Sequence, residues 1–150
     1  VVATGSYWST DGLNGASHDV IVGADASLAW QATPDQLMDQ GKELPGESVV
    51  VFDNDGYFMG VSLAEKLATE GKQVTLMTPM GHVASYMHFT LEAPNQHRRL
   101  HSLGVEIVPY HLPSRVEEGA VVVRVVQHGG GPLDRRAVCA GAAIRRRHQS

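Results

Sequence analysis

Asp53, Asp55, Tyr57 and Gly60 stand in a turn whose position invites ligand chemistry. They follow Val49-Val50-Val51-Phe52, a short continuous apolar run of the kind that forms a parallel strand buried on both faces. A strand, a tight turn and a helix in this order can hold a pyrophosphate. The glycines of G-x-G-x-x-G let backbone amides approach the phosphates, and the helix N-terminus adds a favourable dipole. In the register set by Gly60, however, Asp55 and Tyr57 occupy the first two glycine positions, with Gly56 between them. The carboxylates of Asp53 and Asp55 are expected to face the diphosphate region, and the phenol ring to block its approach. The second strand should end in an acidic residue that binds a ribose hydroxyl, yet the chain there reads Thr78-Pro79, and no arginine stands near to suit a 2′-phosphate. These residues describe an NAD-type turn with its binding chemistry removed: Asp55, Gly56, Tyr57 and Gly60 form a degenerate dinucleotide turn expected to be empty.

Other constellations carry less. Asp53-Asn54-Asp55-Gly56 resembles the start of a calcium loop but lacks the later ligands and the distal Glu. These groups are expected instead to cap the following helix, where orphan amides need acceptors. His97 and His101 share an i, i+4 face without an H-E-x-x-H pattern or a third ligand, so no metal site is expected. Patterns for Ser-His-Asp or cysteine nucleophiles are lacking, and no catalytic residue is assigned.

The elements that must position this turn follow in order. Thr33-Pro34-Asp35-Gln36 has the form of a capping box and opens a short helix. Met59, Leu63 and Leu67 repeat at helical spacing over about 57–70, beside a stripe of Gly60, Ala64 and Ala68 that lets a helix lie close on a sheet. Gly71 suits a helix C-cap, and Gln73 to Met77 begin a second strand. A further helix, starting at Ala93-Pro94 or Thr90, runs to Leu103, and Val105 to Tyr110 reads as a third strand. Ser114–Val116 and Ala120–Val126, split by Glu117-Glu118-Gly119, then read as an antiparallel hairpin or three-stranded meander, with a third run after Gly129-Gly130-Gly131. The fold class is α/β: a Rossmann-like, three-layer βαβαβ parallel sheet with an antiparallel meander, the NAD-type domain of an FAD/NAD-reductase pattern.

Composition bounds the function. At 150 residues and 43% apolar content the chain is long enough for one domain with a real core. Segments 131–150 and 1–130 differ: the last twenty residues hold five of the twelve basic residues and one acid, a balance of +4 that leaves −8 for the rest. An acidic body disfavours nucleic acid, and the Arg145-Arg146-Arg147 cluster reads as a solvated tail. There is no apolar run of membrane-spanning length and no membrane partner is expected. The single cysteine, Cys139, fits a reducing, cytoplasmic setting and allows neither an internal disulfide nor a Cys-based cluster. The expected organisation is a domain over 1–130, with a leading strand and linker over 1–47, followed by an atypical basic tail over 131–150. The start at Val1 and the abrupt charge change near Gly131 suggest a piece of a longer chain, ended by truncation or a shift of reading frame.

Val1-Val2-Ala3-Thr4-Gly5-Ser6-Tyr7-Trp8 resembles the V-A-T-G segment that closes the FAD-type domain of flavoprotein disulfide reductase-like folds. Tyr57-Phe58-Met59, Ser62 to Ala68, Tyr86 to Glu92, Pro94-Asn95 and Arg98 to His101 are similar to the trimethylamine and dimethylamine dehydrogenases, relatives of histamine dehydrogenase and 2,4-dienoyl-CoA reductase. The likeness covers roughly residues 1–128 and includes the degenerate turn. It implies a parent iron–sulfur flavoprotein oxidoreductase that demethylates a methylamine. An N-terminal barrel would carry FMN and a 4Fe-4S cluster, and electrons would pass to an electron-transferring flavoprotein. It also implies ADP in the FAD-type half, a homodimeric parent, and no cofactor in this piece. Thr4 and Gly5 would lie near that ADP by resemblance; a plain strand-end turn is the other reading. The alternative function is a working NAD(P)H-binding domain of an NADH:flavin oxidoreductase.

Overall fold

The computed structural model describes residues 6–126 together with the strand at 135–138. The chain forms helix α1 (Pro34–Met38), strand β1 (Ser48–Phe52), helix α2 (Phe58–Thr69), strand β2 (Gln73–Met77), a 3-10 turn (Ser85–His88), helix α3 (Ala93–Ser102) and strand β3 (Glu106–Val108). Strands β4 (His111–Glu117), β5 (Ala120–Val125) and β6 (Arg135–Val138) follow. β1, β2 and β3 make a parallel sheet in that spatial order, with Val49 opposite Val74 and Thr75 opposite Glu106. β4, β5 and β6 make a separate antiparallel sheet.

Alternation along β1 and β2 explains the layering. Val49, Val51, Val74 and Leu76 face a core completed by Val61, Leu63, Leu67 and Leu100 from α2 and α3. The intervening Val50, Phe52 and Met77 face Val116, Val121 and Val123 of the antiparallel sheet. The result is helices on one side of the parallel sheet and a second sheet on the other, which is why β1 reads as unbroken apolar sequence. At about 25 cal/mol per Å² of apolar area, each fully buried Leu or Val contributes roughly 2 kcal/mol, so both faces stabilise the strand.

Local chemistry sets the ends. Thr33 caps α1: its hydroxyl accepts from the Gln36 amide at 3.4 Å, and the Gln36 side chain accepts from the Thr33 amide at 3.1 Å. The expected capping box is thus in place. The expected third strand is shorter than its apolar run, because Tyr110 adopts φ +57° and turns the chain after Val108. The strand after it starts at His111, ahead of the expected Ser114. Pro113 lies inside β4, where the register shifts before Arg115. Such an irregularity tolerates a residue that has no amide to donate. β6 supplies the third run of the meander within the segment expected as tail. The remaining tail positions, Cys139 and the arginine cluster among them, lie outside the described residues. No helix among the described residues is long and apolar enough to cross a membrane.

Candidate functional site

The turn between β1 and α2 lies at the carboxyl end of the parallel strands, the place where open α/β sheets receive ligands. Its geometry departs from expectation at Asp53. This side chain is only 2% exposed and does not face the diphosphate region. One carboxylate oxygen accepts from the Gly56 amide at 3.0 Å; the other accepts from the Ala84 amide at 3.4 Å, across 31 positions of sequence. The Asp53 amide donates to the Met77 carbonyl at 2.7 Å, so the parallel ladder carries the residue into the interior.

Gly60 makes room for it. A Cβ at Gly60 would sit 2.6 Å from the Asp53 Cβ, inside any real contact distance. The small stripe on α2 therefore serves the buried carboxylate as well as the sheet. The expected capping of α2 by Asp53, Asn54 and Asp55 is not found: the N-cap is Tyr57, which makes no side-chain cap bond. Asp53 spends its oxygens one step earlier in the turn and on the loop after β2. Burial pushes the Asp53 carboxyl above its ordinary value, against the lowering effect of the two amides, and the nearby Asp55 charge adds to the rise.

Gly56 has φ +70°, a conformation that side chains resist. Its open face is covered by Met80 and Tyr86, whose Cε and Cδ2 lie 2.9 Å from where a Cβ would stand. The Tyr86 amide donates to the Gly56 carbonyl at 2.9 Å. Tyr57 and Tyr86 stack with ring centroids 5.2 Å apart, and each remains 43% exposed. Asp55, Gly56 and Tyr57 thus form one turn with Gly60 in the first turn of α2 behind it, and the ground beside Gly56 is occupied by the loop after β2. Thr4 and Gly5 lie outside the described residues.

Met80, Ala84 and Tyr86 were not legible as partners of this turn. No local signal marks them, since Ala84 is left-handed at φ +53° without being a glycine that would announce the bend. The histidines do not converge: His97 Nε2 lies 2.9 Å from the Val83 carbonyl, and His82 meets His88 edge to face. Among the described residues no group of three or more His, Cys, Asp or Glu is placed to hold a metal ion.

Residues 32–148 match the family described as the OYE-like second alpha/beta domain. Dimethylamine dehydrogenase of Hyphomicrobium sp. (strain x) is 44% identical over 121 residues, which are 81% of this chain and 16% of that protein. Histamine dehydrogenase from Rhizobium sp. 4-9 is similar in structure, with a TM-score of 0.79 at 35% identity over 95% of this chain and 21% of its own. The 6-hydroxypseudooxynicotine amine oxidase of Pseudomonas geniculata N1 superposes with a TM-score of 0.83 at 29% identity, covering 94% of this chain and 20% of its own. The chain spans between 16% and 21% of the length of these relatives.

Proposed function

Because this chain belongs to the OYE-like second alpha/beta domain family, and within it to the trimethylamine/dimethylamine dehydrogenase group, we propose that it is a degenerate, non-catalytic nucleotide-fold domain of an amine-dehydrogenase-like flavoprotein oxidoreductase. The parent enzyme would oxidatively demethylate a methylamine in the cytoplasm, as a homodimer, and pass electrons to an electron-transferring flavoprotein. This piece would contribute a rigid Rossmann-like, NAD-type unit that packs against the other domains.

One observation carries the reading: the carboxylate of Asp53 is sealed beneath Gly60 while Tyr57 and Tyr86 stack beside Gly56. A diphosphate needs bare backbone and donors at the helix start. Here the Gly56 amide already donates to Asp53, and the adjoining surface carries aromatic rings and the Asp55 charge. A nicotinamide dinucleotide does not fit that turn. Nor does an iron–sulfur cluster fit this chain, whose single cysteine falls short of the four thiolates such clusters take. FMN, the cluster and ADP are therefore assigned to the parent's other domains.

Isothermal titration of the chain with NADH and NADPH tests this. We expect no binding heat up to about millimolar coenzyme, a free energy of roughly −4 kcal/mol or weaker. Micromolar affinity would overturn the degenerate reading in favour of a working NAD(P)H-binding domain.

A further inference from the structure

We infer that the loop after β2 is a resident occupant of the coenzyme cradle, with Met80 and Tyr86 filling the space that the adenosine side of a dinucleotide would take. The inference rests on the degenerate reading above and names the residues that enforce it from outside the turn.

In a dinucleotide fold the end of the second strand receives the ribose next to the diphosphate. Here the chain after β2 folds back over that place and is held from several directions. From the turn, Asp53 accepts the Ala84 amide and Gly56 accepts the Tyr86 amide. From the turn between β3 and β4, the Tyr110 amide donates to the Met80 carbonyl at 2.9 Å, and its phenol oxygen lies 2.7 Å from where a Gly81 Cβ would be. From α3, the His97 ring reaches the Val83 carbonyl. Val83, Ala84 and Met87 are fully buried, so the loop is anchored by core side chains and leaves Met80 and Tyr86 lying on the Gly56 face.

Ala84 holds a left-handed backbone that a residue with a Cβ resists, and the surrounding bonds keep it there. Strain of this kind is kept where a neighbouring structure over-determines the backbone. The exclusion of a coenzyme is thus written twice, once by Asp55 and Tyr57 in the turn and again by Met80 and Tyr86 from a segment more than twenty residues later.

The test compares four forms of the chain by calorimetry with ADP: unaltered, D55G/Y57G, M80A/Y86A, and all four substitutions together. We expect ADP binding in the fourfold form to be at least about tenfold tighter than in D55G/Y57G, with no binding by the other two. Equal affinity of the fourfold form and D55G/Y57G, or no binding by a fourfold form that still melts cooperatively, overturns the occupant. Binding by the unaltered chain overturns both the occupant and the degenerate reading. Should the fourfold form fail to fold, hydrogen exchange on the unaltered chain decides. The Ala84 and Tyr86 amides are expected to exchange as slowly as those of β2, and exchange at the rate of free loop amides overturns the inference.

Discussion

Asp53 and Lys42 solve the same problem with opposite charges. Each gathers backbone groups from a distant segment: Asp53 takes the Ala84 amide together with the nearby Gly56 amide. Lys42 Nζ donates to the carbonyls of Ala26, Leu28 and Gln31 at 2.8, 2.9 and 2.5 Å. The settings differ. Lys42 is half-exposed and pins a surface segment ahead of α1, where water can replace it. Asp53 is sealed beneath α2, where no water competes for its partners and its ionised form is costly. A cation at a surface crossing trades solvent bonds for carbonyl bonds at little net change. A carboxylate in the interior makes its bonds indispensable, because losing it orphans buried donors.

Three measurements can break or sharpen that contrast. Asp53→Ala should cost the most, about 3 kcal/mol, since it leaves the Gly56 and Ala84 amides without an acceptor in a dry place. Chemical denaturation reads this, and a loss under about 1 kcal/mol would mean the loop after β2 does not depend on the carboxylate. Lys42→Met should cost less, about 1 kcal/mol, because the freed carbonyls can turn to water. If thermal melting ranks it above Asp53→Ala, the contrast between surface and interior is wrong.

The smallest effect is a pH dependence. The folded carboxyl of Asp53 lies above its ordinary value of 3.8, so the stability tied to its neutral form is complete below that value. It is lost as pH rises through the raised one. Asp53→Asn keeps one acceptor oxygen and does not titrate. Its stability relative to the unaltered chain should therefore improve from pH 3.5 to pH 7. A difference that moves the other way would show that the two amides outweigh burial.

Much of the fold was legible because it rests on short-range pattern. The valine run of β1, the Met59-Leu63-Leu67 repeat of α2 and the Thr33 capping box each encode their structure within a few residues. Three-layer packing follows from β1 being apolar at every position from Val49 to Phe52. The third strand and β4 were read less well, since a left-handed Tyr110 and a Pro113 inside a strand are settled by neighbours on other strands.

By itself the sequence determined that the β1–α2 turn carries Asp55 and Tyr57 on either side of Gly56, since the identity of a side chain at a fixed register decides what backbone is bare. Only the tertiary structure decided where Asp53 goes and what stands beside Gly56. Both depend on the loop at Met80 to Tyr86 arriving from the far side of β2, and a contact across some thirty residues leaves no periodic trace in a chain.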